Sequence, residues 1–93
     1  MTHTFDDLVQ MQRAADEAHG QVLDLRDTYG RPTAGPWSQE QTDTYEKAWQ
    51  RWRQLAEEAQ AAVTAHATDE GKARFEVEAA VRKQVRHPEP AAA

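Results

Sequence analysis

Apolar residues recur at alternating intervals of three and four along two long stretches of the chain. This spacing constrains the fold more than any other feature, because it keeps one face of an α-helix apolar over successive heptads. The sequence therefore predicts two amphipathic helices, each of which must bury one face. The two rows are Leu8, Met11, Ala15, Ala18, Val22, Leu25 and Tyr29, and Tyr45, Ala48, Trp52, Leu55, Ala59, Ala62 and His66.

Short polar signals mark where these two helices begin and end. Thr4 can cap the first helix through its hydroxyl group, and Ser38 with Gln41 forms the capping-box pattern of the second. Gly30 follows the last apolar position of the first row and suits a helix end, because glycine tolerates positive φ angles. The predicted helices span residues 5–29 and 39–67.

The loop between the two helices is short, and Trp37 stands directly before the second cap. Two long helices with a short connection fold most simply into an antiparallel hairpin, in which we expect Trp37 to hold the turn against the helices. The pairs brought together are Tyr29 with Tyr45, Val22 with Trp52, Ala15 with Ala59, and Leu8 with His66. The apolar residues that such a hairpin leaves uncovered are a flanking row of Trp49, Ala56 and Val63, and the outlying Val9 and Leu23.

Residues 72–86 are the candidate cover, as a shorter third helix. The side facing the hairpin would carry Val77, Ala80, Val81, Gln84 and Val85. Alternation of polar and apolar residues over 74–78 also fits a short strand, so that alternative stays open. The sequence also leaves open whether Gly71 ends the second helix or bends it. Residues 88–93 are predicted to be a disordered tail.

Large apolar residues are scarce, which limits the core that one copy can build. Leu, Val and Phe make up 12 of the 93 residues and Ile is absent, whereas Ala accounts for 17. Ordinary globular domains contain at least roughly 20% of the four large residue types. The predicted fold is therefore all-α, a single helical domain over residues 1–87. It is completed either as a three-helix bundle or as a dimeric helical bundle, since both use the same apolar rows.

Composition argues against several classes of function. The chain has no Cys, hence neither disulfides nor a thiolate site, and its only Ser is already explained by the helix cap at Ser38. The net charge of −5 disfavours binding of nucleic acid or anionic lipid by the surface as a whole. No apolar run before the tail exceeds three residues, too few for a membrane span or a signal peptide. We expect a cytoplasmic protein that is not an enzyme and uses no cofactor.

Two sets of side chains have the chemistry of metal ligands. Carboxylates with a His at i+3 on facing helices build di-iron sites, and two His with carboxylates can bind zinc. A solvated charged face and a frayed terminus explain both sets more simply, so we predict no metal site. The first set is Asp16, His19, Glu57 and Glu58, and the second is His3, His66, Asp6 and Asp7.

Two groups of residues are the predicted partner-binding positions. Trp49 and Trp52 alternate with Arg51 and Arg53, a pattern that fits base stacking, but the apolar stripe favours core packing. Where these Trp side chains are exposed, a protein partner is the better prediction. The second group gives the predicted third helix a positive charge, which suits phosphate or an acidic protein surface. It consists of Lys72, Arg74, Arg82, Lys83 and Arg86.

The plan of two long helices with a Trp in the turn, over residues 5–67, resembles the Esx-type secreted helical hairpins. This resemblance implies export by a type VII system and dimerisation into a four-helix bundle. The family turn is Trp-x-Gly, whereas Trp37 is followed here by Ser38 and Gln39. The family's downstream Tyr-x-x-x-Asp/Glu signal is also missing, since Ala79 stands at the acidic position after Phe75.

The sequence thus predicts a small non-catalytic module for protein–protein interaction. Its predicted partner is itself, as a homodimer, or another helical protein, because the thin core leaves an apolar stripe that one hairpin cannot cover. The first alternative is a regulatory protein that contacts nucleic acid through the basic third helix. The second alternative is an Esx-like secreted hairpin.

Overall fold

The computed structural model describes residues 3–31 and 35–87, and this part of the chain contains three α-helices and no strand. The first two helices form a hairpin, and the third packs against both. The predicted all-α fold class is therefore confirmed. The predicted tail over 88–93 lies outside the described residues. The helices are α1 (Phe5–Tyr29), α2 (Gln39–Glu70) and α3 (Arg74–Arg86).

Both long helices begin with a capping box. The Thr4 hydroxyl accepts a hydrogen bond from the Asp7 backbone N–H at 3.1 Å, and the Asp7 carboxylate accepts one from the Thr4 N–H at 3.0 Å. Ser38 and Gln41 exchange the equivalent pair at 3.1 and 2.9 Å. The hydrogen bond from the Thr4 backbone N–H, with a smaller contribution from the Thr4 side chain, lowers the pKa of the Asp7 carboxyl group below its usual value. This carboxylate therefore stabilises the fold at neutral pH and loses that contribution as acid protonates it.

Trp37 closes the turn of the hairpin as predicted. Its indole N–H donates to the Gly30 carbonyl oxygen at 2.9 Å. Its ring meets Tyr29 and Tyr45 edge to face, with centroid distances of 5.4 and 5.0 Å. The Gly30 backbone has a φ of 77° and its N–H donates to the Arg26 carbonyl, so this glycine caps α1. One indole ring thus joins the end of α1 to the start of α2.

Gly71 ends α2 and does not merely bend it. Its φ of 65° is left-handed, and its N–H donates to the carbonyls of Ala67 and Thr68. The helix runs to Glu70, three residues beyond the predicted end, because no residue before Gly71 interrupts it. The chain reverses there, and α3 starts at Arg74, two residues later than predicted.

The strand alternative for residues 74–78 is wrong. These residues form the first turns of α3, where Arg74 and Arg82 both donate to Glu78, at 3.0 and 2.7 Å. A strand would need a neighbouring strand for its backbone hydrogen bonds, and the described residues provide none. Helical geometry also turns Val77 and Val81 to the same side of α3, where both are buried.

The core lies at the open end of the hairpin, where α3 covers it. Val9 and Val63, which the hairpin alone leaves uncovered, are buried there beneath α3. Ala80, expected on the packed side of α3, is exposed, because the two Val residues occupy that side. The buried cluster consists of Leu8, Val9, Ala62, Val63, Ala67, Val77 and Val81, with Met11 and Val85 packed against it.

The middle of the hairpin is built from small residues. Ala15, Ala18 and Ala59 are all buried, as their places in the two apolar rows predict. Small side chains let two helix backbones approach closely, but each buries little apolar surface. The middle of the hairpin is therefore thin, and most of the large buried side chains lie at the open end.

Candidate interaction surfaces

One side of α2 has no covering helix along its first half. Arg74, at the start of α3, donates hydrogen bonds to Gln60 and, at 3.0 Å, to Thr64, so α3 is joined to this side of α2 at these two residues. The helix α3 has 13 residues against 32 in α2, or about 20 Å against about 48 Å. The uncovered stretch, called here the aromatic face, consists of Glu46, Trp49, Trp52, Arg53, Ala56 and Glu57.

Two Trp side chains dominate the aromatic face. Trp49 is 39% exposed, which departs from the expected core packing. Trp52 is half-buried because its ring lies on the His19 ring of α1, with centroids 4.5 Å apart. His19 lies one turn before Val22, the predicted partner of Trp52 in α1. The two indoles meet edge to face at 6.1 Å, which orients Trp49 toward solvent beside its neighbour.

Charged side chains frame the exposed indole. The Arg53 guanidinium lies 5.6 Å from the centre of the Trp49 ring, a cation–π contact. Its Nε also donates to Glu57 at 3.3 Å. Both side chains of this ion pair are well exposed, at 64% and 70%. Such a pair contributes little to stability, so Arg53 can turn to another carboxylate at small cost.

The predicted basic surface of α3 is divided by the structure. Arg82, Lys83 and Arg86 line one shallow groove along the outer side of the helix. Arg74 lies apart from them, because it joins α3 to α2 through Gln60 and Thr64. Lys72 is exposed in the turn before α3. Only three of the five predicted basic positions therefore share a surface.

Two residues of this groove escaped sequence reasoning. Phe75 is 71% exposed and lies in the same groove, together with His87. The signal was available, since Phe75 and Val77 lie on opposite sides of a helix, and the buried side belongs to Val77. The alternation of polar and apolar residues over 74–78 is thus part of a helix. It places Phe75 on the exposed side of α3 and Val77 on the buried side.

The candidate metal ligands are held in other contacts. The Gln12 side chain donates to Asp16 at 2.9 Å, and His19 packs on Trp52. Glu57 accepts from Arg53, and Glu58 from Gln54 at 3.3 Å. At the open end, the His66 Nδ1 lies 2.9 Å from the His3 carbonyl oxygen, which accepts its proton in the corresponding tautomer. In the part of the chain that the structure describes, no three His, Asp or Glu side chains come together as a metal site.

Comparison with family models, with curated proteins and with solved structures gives no match for this chain. A second finding concerns membranes. Within residues 3–31 and 35–87, no helix combines the length and the apolar character needed to cross a lipid bilayer. The two surfaces with binding chemistry are the aromatic face of α2 and the basic groove of α3.

Proposed function

We propose that this chain is a small, non-catalytic protein–protein interaction module that pairs with a second copy through the aromatic face of α2. The observation that carries the proposal is the exposed Trp49, placed beside Arg53 on the outer side of α2. Trp and Arg are the residue types that most often anchor protein interfaces. A second copy supplies the same surface and needs no other protein.

Burial of the indole provides the driving force. An exposed fraction of 39% leaves roughly 100 Å² of the Trp49 side chain in contact with water. Covering it is worth about 2.5 kcal/mol in each copy. The aromatic face holds only this one large exposed apolar side chain, and two copies of it supply about 5 kcal/mol before the cost of association, so we expect a weak dimer with a dissociation constant no tighter than about 0.1 mM.

The solution mass of the chain tests this proposal. Sedimentation over a wide concentration range should show a monomer that becomes a dimer. Trp49→Gln should raise the dissociation constant by about tenfold or more, because it removes the central anchor. The matched control is Phe75→Gln, which removes an even more exposed aromatic side chain from α3 and should leave dimerisation unchanged. A wild-type chain that stays monomeric at millimolar concentration would refute the proposal.

The basic groove of α3 supports one alternative, a regulatory protein that contacts nucleic acid. Phe75 next to Arg82 and Arg86 combines a stacking surface with positive charge. Binding of a fluorescent single-stranded oligonucleotide should then weaken steeply with salt and be lost in the Arg82→Glu/Arg86→Glu variant. If the charge reversal leaves binding unchanged, this alternative is wrong.

The cytoplasmic location expected from the sequence stays a prediction. The second alternative, an Esx-like secreted hairpin, also stays a prediction.

A further inference from the structure

We infer that the second copy docks antiparallel on α2, with the two-fold axis passing between Trp49 and Gln50, so that Glu46 of each copy pairs with the partner's Arg53. This inference rests on the proposed homodimer and adds its register and its specificity. It follows from the order of charges along the aromatic face and from the place where α3 begins to cover α2.

The charges of the aromatic face are self-complementary in one direction only. Glu46 and Arg53 are seven residues apart, which is two helical turns, so both lie on the same side of α2. A two-fold axis midway between them exchanges their positions and sets each carboxylate against the partner's guanidinium. Parallel pairing would set Arg53 against the partner's Arg53 and Glu46 against the partner's Glu46. Like charges in contact disfavour that arrangement by several kcal/mol.

The position of α3 agrees with this axis independently of the charges. Antiparallel pairing about the Trp49–Gln50 midpoint sets Gln60 opposite the partner's Gln39. Gln39 is the first residue of α2, and Gln60 is the first α2 residue that Arg74 of α3 contacts along this side. The partner helix therefore begins level with the α2 residue that Arg74 contacts. An axis nearer the end of α2 would drive the partner helix into α3.

The residues at the axis are those whose burial contributes most to the stability of the dimer. Trp49 of the two copies meets at the centre, where each indole loses its contact with water. Arg53 already lies over the Trp49 ring at 5.6 Å, so its guanidinium is next to the axis in the single chain. Its present partner, Glu57, is held by an exposed ion pair that is easily exchanged.

Charge reversal tests the register. Glu46→Arg and Arg53→Glu should each raise the dissociation constant of the dimer by about tenfold or more. Each variant places a pair of like charges in contact on both sides of the two-fold axis. The double variant Glu46→Arg/Arg53→Glu should restore an affinity close to that of the wild type. The matched control is Arg51→Glu/Glu58→Arg. These two residues have the same seven-residue spacing on the same helix, are exposed, and lie outside the aromatic face.

The outcomes separate the register from the proposed function. If Trp49→Gln abolishes the dimer while the single charge reversals leave it intact, the homodimer stands and the antiparallel register is overturned. If the wild-type chain does not dimerise at all, the proposed function itself fails. Circular dichroism of each variant should remain that of the wild type, since all four charged residues are exposed.

Cysteine cross-linking gives a second test that does not depend on charge, and the chain has no Cys of its own. Above the dissociation constant, Gln50→Cys should form a disulfide with its own copy across the axis. Glu46→Cys should not cross-link to itself, but it should cross-link to Arg53→Cys when the two variants are mixed. Efficient self-cross-linking of Glu46→Cys would show parallel pairing and overturn the inference.

Discussion

Replacing Val81 by Asp should release α3 from the hairpin and lower the free energy of unfolding by more than about 4 kcal/mol. Val81 is only 2% exposed and lies in the cluster that joins all three helices. A carboxylate at that position loses its water without gaining a partner, which is strongly unfavourable. A free helix of 13 residues is also only marginally stable in water, so α3 should unfold once it is detached.

Chemical denaturation followed by circular dichroism measures this effect, and Ala80→Asp is its control. The control introduces the same residue one position earlier in the same helix, at an exposed position. The control should lower the free energy of unfolding by no more than about 1 kcal/mol, which is close to the difference in helix propensity between Ala and Asp. An equal decrease in the free energy of unfolding for the two variants would contradict the packing of α3 on the hairpin through Val81.

Trp37→Ala should lower the free energy of unfolding by about 2 to 3 kcal/mol. The half-buried indole contacts Tyr29 and Tyr45 and donates to the Gly30 carbonyl, so its loss opens the turn between α1 and α2. Trp37→Phe should recover most of this loss, because it keeps a ring at the turn. The remaining difference of about 1 kcal/mol combines the loss of the indole hydrogen bond with the smaller buried area of the Phe ring.

Thermal and urea unfolding of the two Trp37 variants should be measured at a concentration where the chain is monomeric. Trp49→Ala is the comparison, since it removes the same residue type from the aromatic face, where Trp49 is exposed. That variant should retain nearly the stability of the monomeric wild type. A Trp49 variant less stable than the Trp37 variant would mean that the aromatic face is part of the monomer's core.

The thin core and the proposed dimer have a common physical origin. The apolar rows of α1 and α2 are wider than a two-helix contact needs, and the middle of the hairpin is made of Ala. The helix α3 covers the flanking row at the open end, over Val63, and Trp49 of the same row is exposed. In the proposed dimer the partner's α2 continues the same cover along the rest of that side. The apolar stripe of α2 is thus covered in two parts, by α3 of the same chain at the open end and by the partner's α2 along the rest.

Local patterns determined much of this structure. The spacing of the apolar rows predicts α1 and α2 and the faces they bury. The caps at Thr4 and Ser38 place the helix starts, because capping depends on residues only three positions apart. Trp37 at the turn and the Glu78–Arg82 pair in α3 were predictable for the same reason.

The tertiary structure decided which part of each apolar row is covered. Periodicity shows that Val63 and Trp49 share a side of α2, but only the length and placement of α3 bury the first and expose the second. The same holds for Arg74, which local charge assigns to a basic surface and which the packing of α3 joins to α2. Coverage depends on contacts between residues far apart in the chain, and no local pattern records where a later helix will lie.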